Sequence, residues 1–283
     1  AQLLAQLTVG VTVGGTLPTP SEISVTLTPR GSARLGGAAA SITSPLNAAG
    51  AASFTNLTLG AFDLEVTLTR KHAGGTLTGV EKQVVTVKLR GGHAATNVRL
   101  PLVTIQDRKG NAPPNVLERG KKRELAAAVV PNNLPLAPTW NGESGVGVAS
   151  TSGHIGTITG KTVSTKRDAS AVSATQAIAA ATIHKNIIDV AVVMRTATHR
   201  LAMTVAEVVS IHCVLPETQP LTARAIHKKS NLSRSNGVDA KAAAPDYTKP
   251  TTLLCVLRGS GKLEMTAKVA PKDAHVVWNV KRN

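Results

Sequence analysis

Aromatic side chains are scarce in this chain, whose 283 residues include two Phe, one Tyr and two Trp. A core with so few rings must be filled by small aliphatic side chains. Val and Thr, both abundant here, suit the half-buried surface of a β-sheet. Platforms of rings for base stacking are also lacking, which argues against a protein that binds single-stranded nucleic acid. The composition therefore predicts many short strands packed into thin all-β modules.

Cysteine is equally rare, with Cys213 and Cys255 as the two residues of this type. Neither belongs to a CxxC motif, and none of the eight histidines forms an HxH, HxxxH or HExxH pair. Since such spacings are typical of protein metal sites, we predict no metal and no cofactor. Two alternatives stay open for Cys213 and Cys255: one disulfide, worth roughly 3–4 kcal/mol, or two buried thiols.

Acidic residues number 16, against 32 lysines and arginines. They form neither the carboxylate pairs of glycosidases nor the spacing of a calcium loop. A GxSxG nucleophile motif is missing as well. Segment 156–162 imitates a phosphate-binding loop, but three residues instead of four separate its glycines, which favours a β-hairpin. We therefore predict that the protein is not an enzyme, with no catalytic residue and no small-molecule substrate.

Long apolar runs are missing too. No stretch reaches the roughly 18 apolar residues that a helix needs to cross a bilayer, so we predict no membrane span. The sequence opens with Ala1-Gln2-Leu3, without Met and without a basic leader. A mature chain processed after export would begin in this way, and so would a trimmed sequence.

The excess of basic residues gives a formal net charge of +16. One interpretation is a well-solvated surface, and the other is an acidic partner such as an anionic cell-surface polymer. Positive residues are spread along the chain, with one dense cluster near residue 120 and a looser group near residue 230. The candidate polyanion contacts are Arg119, Lys121, Lys122, Arg123, Lys228, Lys229 and Arg234.

One sequence motif, the repeated phrase, occurs twice. Residues 120–131 run through a polar stretch and alternating apolar residues to Pro131, and Trp140 follows. Residues 261–271 repeat this order up to Pro271, and Trp278 follows. A large ring at one point of a repeated strand–turn–strand phrase suits the centre of a small sandwich. The repeat predicts tandem β-modules.

Residues 1–103 alternate apolar and polar side chains in several short runs. A glycine-to-phenylalanine stretch leads through an Asn-Leu pair and a Leu-Gly turn into a further strand. This order resembles the carboxypeptidase-regulatory-like and Cna-B-type modules, which implies a transthyretin-like sandwich. The residues that carry the resemblance are Gly50 to Phe54, Asn56-Leu57, Leu59-Gly60, Phe62, Leu64 and Val66.

In residues 104–186 a strand is followed by a proline turn, a tryptophan strand, a glycine-rich hairpin and a closing Thr-Ile strand. The residues that mark these features are, in order, Leu125, Pro131, Trp140, Val148, Ala149, Gly153, Ile155, Gly160 and Thr182-Ile183. This order resembles the bacterial immunoglobulin-like group 2 module of intimin- and invasin-type surface proteins. The fold expected from both resemblances is all-β, with tandem Ig-like and transthyretin-like sandwiches.

Residues 187–283 contain the second copy of the phrase and are expected to form a second Ig-like module. The sequence ends five residues after Trp278, so the hairpin and closing strand of the first copy have no equivalent here. We expect this module to be incomplete. Its missing half could come from strands within 187–225, from a neighbouring molecule in trans, or from chain beyond residue 283.

The resemblances imply a structural or adhesive role. They also imply a location that is extracellular or at the cell surface, with a virion as the alternative. We expect a subunit of an extracellular bacterial appendage, filament or surface layer that assembles with copies of itself. Two alternatives remain: a phage decoration or tail protein built from the same modules, and a surface module that binds a polyanion.

Overall fold

The structure is a computed structural model that describes residues 5–89, 91–132, 137–178, 181–184, 188–214, 224–227, 253–256 and 264–274. Within these ranges the chain is built of β-strands and one short 3₁₀ turn, Pro20–Glu22. The strands form several stacked sheets, so the all-β sandwich prediction is confirmed. None of the described residues forms a helix long and apolar enough to cross a membrane.

The described strands in chain order are β1 (Ala5–Val13), β2 (Ile23–Pro29), β3 (Ile42–Ser44), β4 (Ala51–Leu57), β5 (Gly60–His72), β6 (Gly75–Val87), β7 (His93–Leu100), β8 (Leu102–Gln106), β9 (Val116–Glu118), β10 (Lys122–Val130), β11 (Thr139–Glu143), β12 (Val146–Ser152), β13 (Ile155–Gly160), β14 (Ser170–Ile178), β15 (Ala181–His184), β16 (Ile188–Val214), β17 (Arg224–His227), β18 (Leu253–Val256) and β19 (Glu264–Ala270).

The first sandwich packs a small sheet, with strand order β4-β1-β7, against one part of a large sheet. In the small sheet β1 runs antiparallel to β4 and parallel to β7. The facing part of the large sheet has the order β16-β6-β5-β2-β3. Inward side chains alternate along each strand and are almost all aliphatic, with Phe54 and Phe62 as the two rings of this core. The transthyretin-like assignment within this class stays a prediction.

The second sandwich packs the sheet β12-β13-β10-β8 against β11, β14 and the middle of β16. β14 and β16 pair antiparallel from Ser170 opposite Met203 to Ile178 opposite Arg195. The core is again aliphatic, with Trp140 as its ring. The expected closing strand around Thr182-Ile183 lies in β15, a four-residue strand that pairs with β16 and is exposed throughout.

β16 is common to both sandwiches. It is a single strand of 27 residues, which spans about 90 Å. Its first half pairs with β6 and its middle pairs with β14 and β9. Bulges at Val193 and Val209 interrupt the pairing. The extra residue at Val193 shifts the alternation of β16 by one position, so that the inward-facing residues before and after the bulge stay on the same face of the sheet. Residues 188–206 are thus part of the sandwiches formed by preceding strands, while the module boundaries 1–103, 104–186 and 187–283 stay a prediction.

The last part of β16 pairs antiparallel with β19, and β17 pairs with β18. β19 is the strand of the second copy of the repeated phrase, as β10 is of the first. Both strands end directly before a proline, and the bonds to Pro131 and Pro271 are both cis. Trp278 lies outside the described residues, so what completes this part of the chain stays open.

The outer face of the large sheet explains the abundance of threonine. Its strands alternate buried apolar residues with Thr, Ser and charged residues that face away from the cores. Directly paired positions on five neighbouring strands form one continuous row of threonines, and the Oγ1 atoms of two of them lie 2.9 Å apart. The row consists of Thr69, Thr78, Thr198, Thr175 and Thr139.

Trp140 fills the second core by lying across a glycine. Its residue is 6% exposed, and its indole covers the backbone of Gly156 on β13. A Cβ added to Gly156 would lie 2.4 Å from the indole Cδ2. The sequence predicted a buried ring at position 140 but did not predict the contact with Gly156. This contact explains why a glycine faces inward on β13.

We expect Gly156→Val to lower the free energy of unfolding by at least about 2 kcal/mol, because the ring must shift within a packed core. Urea denaturation monitored by tryptophan fluorescence measures this change in the free energy of unfolding. The control is Thr157→Val on the outer face of the same strand, expected within about 0.5 kcal/mol of the parent. Equal stability of both variants would contradict the described packing.

A buried ion pair separates the two cores. Glu81 on β6 is fully buried and lies opposite Arg195 on β16. The Arg195 Nε and Nη2 atoms donate to the two carboxylate oxygens at 2.5 and 2.9 Å. Gln83 Nε2 also donates to Glu81, at 2.5 Å. Along β6, Val85 follows Gln83 on the inward face and belongs to the first core, and along β16 Ala197 belongs to the second.

Arg195→Met should destabilise the protein by about 3–5 kcal/mol, because it leaves the Glu81 carboxylate buried without its cation. The double variant Glu81→Met/Arg195→Met should recover most of this loss in urea denaturation. Arg200→Met serves as the control: its pair with Glu143 is solvent-exposed, so we expect a loss of at most about 1 kcal/mol. A double variant no more stable than Arg195→Met would contradict the description of Glu81 and Arg195 as a buried pair in which each charge needs the other.

His199 lies fully buried in the large sheet beneath the β5–β6 hairpin. Its Nδ1 accepts the Ile105 backbone N–H at 2.7 Å, so the neutral ring carries its proton on Nε2. The His72 ring approaches edge-on, with centroids 5.7 Å apart. Burial, with a smaller contribution from the charge of His72, lowers the pKa of His199 from 6.5 to about 4. The folded protein therefore holds this imidazole uncharged at neutral pH.

Stability should fall as the pH drops from 6.5 towards 4, because the unfolded chain binds a proton that folded His199 rejects. The slope is at most about 1.4 kcal/mol per pH unit. Glu22, Asp107 and Asp189 also have lowered pKa values, but their contributions are lost only at lower pH. Urea denaturation from pH 7 to 5 should show a shallower slope for His199→Gln and an unchanged one for exposed His93→Gln. Parallel slopes for all three proteins would be the contrary result.

Candidate anion-binding surface

The basic cluster predicted near residue 120 lies at one end of the second sandwich. Arg119 follows β9, Lys121 occupies a turn, and Lys122 begins β10. The turn is fixed by backbone hydrogen bonds: the Arg119 N–H donates to the Ala206 carbonyl, and the Gly120 N–H to the Gly160 carbonyl, both at 2.8 Å. The loop is therefore held against both β16 and the end of β13.

The two arginines of this cluster already have partners. Arg119 Nη1 lies 3.0 Å from a carboxylate oxygen of Glu207. Arg123 continues the inward-facing positions of β10 and its Nη1 donates to the Pro114 carbonyl at 2.7 Å. Partial burial lowers the pKa of Arg123. Both guanidinium groups thus serve the local structure.

The lysines, in contrast, are exposed. Lys121 and Lys122 lie at the surface, and the turn brings Lys161 next to them, since the Gly160 N–H donates to the Lys121 carbonyl at 3.2 Å. The Lys161 side chain extends across Gly147 on β12. Gly147, Thr159 and Lys122 are directly paired across three strands on the outer face. We call Lys121, Lys122 and Lys161 the lysine surface.

Sequence reasoning missed Lys161, because some forty residues separate it from Lys121. The available signal was the hairpin of segment 156–160, whose pairing with the strand of Leu125 would have placed Lys161 beside the basic cluster. Two further exposed lysines, Lys166 and Lys272, lie on loops that contact each other, since the Arg167 N–H donates to the Asp273 carboxylate at 2.9 Å.

The structure does not test the other candidate residues of the sequence analysis. Lys228, Lys229 and Arg234 lie outside the described residues. Cys213 pairs through its backbone with Met265 on β19, and Cys255 pairs with Ala225 on β17. Their side chains are outside the described part of the structure, so the disulfide stays a prediction.

The chemistry of the described side chains is that of ion pairs. Among the residues that the structure describes, no three His, Cys, Asp or Glu side chains form a group that could hold a metal ion. Most described arginines pair with a carboxylate, as in Arg30–Asp63, Arg70–Glu22 and Arg200–Glu143. The lysine surface can therefore attract an anion by charge. Comparison of the chain with protein families, with curated proteins and with solved structures finds no match.

Proposed function

We propose that this protein is a non-catalytic structural and adhesive subunit of an extracellular bacterial assembly, such as an appendage, filament or surface layer. Its sandwiches stand in series and present loops and sheet edges to other copies of the chain. The observation that carries the proposal is β16, a 27-residue strand that belongs to both sandwiches and continues to β19.

A shared strand suits a load-bearing part. Modules joined by a flexible linker move independently by default. Here β16 is paired with β6 on one side and β14 on the other, and the Glu81–Arg195 pair lies between the cores. A force along the strand therefore acts on ladders of backbone hydrogen bonds instead of on a linker. This rigidity supports a role in which spacing and orientation between neighbours matter.

The resemblances to Cna-B-type and group 2 Ig-like modules support the adhesive part of the proposal and the extracellular or cell-surface location. A phage decoration or tail protein would use the same rigidity on a virion. A second function, polyanion binding, is favoured by the lysine surface, where exposed cations from separate segments converge.

If the proposal is right, the purified chain should form oligomers or filaments as its concentration rises. Because strand pairing and apolar burial hold them, the oligomers should persist when NaCl is raised from about 0.05 to about 0.5 M, where surface charges are largely screened. Multi-angle light scattering gives the mass, and electron microscopy gives the form. A monomer at every concentration and salt would contradict the proposal.

A further inference from the structure

We propose that the lysine surface of the second sandwich binds a linear anionic polysaccharide. This inference rests on the proposed adhesive role and names its partner. It concerns Lys121, Lys122 and Lys161, three exposed cations contributed by a turn, a strand start and a loop.

The spacing suits a polymer with regularly placed charges. Gly147, Thr159 and Lys122 occupy neighbouring strands in register, so the row is about 10 Å across. The Lys161 side chain lies over Gly147 because glycine has no side chain in the way. The Lys161 Nζ lies 2.8 Å from the position that a Cβ on Gly147 would take. The two ammonium-bearing side chains thus lie on one face, separated by the strand of Thr159.

The type of cation indicates recognition by charge. Arginine favours planar, bidentate contacts with carboxylate or phosphate, whereas lysine acts as a point charge on a flexible stem. Arg119 and Arg123 are committed to Glu207 and to the Pro114 carbonyl. The cations of the cluster that face solvent without such a partner are lysines. Flexible point charges of this kind suit a polymer whose sulfate or carboxylate groups can bind in several positions.

The aromatic side chains of the described residues favour a sugar chain over a single-stranded nucleic acid. Base stacking requires exposed rings, but Phe54, Phe62 and Trp140 are all buried. The lysine surface thus offers ammonium groups without a stacking ring of Phe or Trp from the described part of the chain.

Positive charges outnumber carboxylates around the lysine surface. Segment 118–124 holds four cations and the two carboxylates of Glu118 and Glu124, and Lys161 adds a further cation from a separate segment. Glu124 shares the outer face of β10 with Lys122, and its Oε2 lies 3.6 Å from Arg108 Nε. The local excess of charge is therefore positive.

The test uses the full chain and fluorescein-labelled heparin, followed by fluorescence anisotropy at several salt concentrations. We expect Lys122→Gln/Lys161→Gln to weaken binding about tenfold at about 0.05 M NaCl and to flatten the dependence of log K on log salt. Lys71→Gln/Arg99→Gln removes two exposed charges from the first sandwich and should bind like the parent protein. Equal urea midpoints verify that both variants are folded.

Three outcomes would overturn the inference: no heparin binding by the parent, an equal loss in both double variants, or equal competition by duplex DNA of matched charge. The last would assign the surface to nucleic acid. Light scattering on the same samples keeps the two proposals apart. Monomers that still bind heparin would refute the assembly alone, and oligomers that do not bind would refute the polysaccharide alone.

Discussion

The hydrogen-bond ladder along β16 is the constraint on which both sandwiches depend. One strand closes the large sheet of the first sandwich through β6 and supplies the centre of the second through β14. Each core therefore includes residues from β16, Ile188 and Val190 in the first and Leu201 and Met203 in the second. A backbone shared in this way fixes the direction of both sandwiches more firmly than a linker would.

A shared strand also creates a problem, which the polar side chains resolve. Two aliphatic cores on one face of a sheet could merge or slide in register, since hydrophobic contact is non-directional. Glu81 and Arg195 make a directional contact at their boundary, and the Val193 bulge corrects the phase of β16 beside it. Buried ionic pairs add specificity in some proteins at little gain in stability, and this pair has the placement for that role. Arginine pairing also decides the surface charge of the basic cluster: Arg119 and Arg123 have partners, and Lys121, Lys122 and Lys161 are exposed.

Much of the local structure could be predicted from sequence. Alternating apolar residues placed β5 and β10 correctly, because the side-chain period of a strand is visible without any partner. The repeated phrase correctly placed Trp140 in a core. The inward Gly156, the Glu81–Arg195 pair and the approach of Lys161 to Lys121 could not be predicted. Each joins residues that are distant in sequence and neighbours only once strand order is known.

The sequence by itself determined an all-β protein with aliphatic cores, a repeated strand–proline phrase and a strongly basic surface, because composition and period-two alternation act locally. Only the tertiary structure decided that residues 188–206 complete the sandwiches of earlier strands, and which cations of the basic cluster stay free. The reason is that strand pairing is a choice among partners: any exposed edge offers the same N–H and C=O groups. Packing against the rest of the molecule selects one.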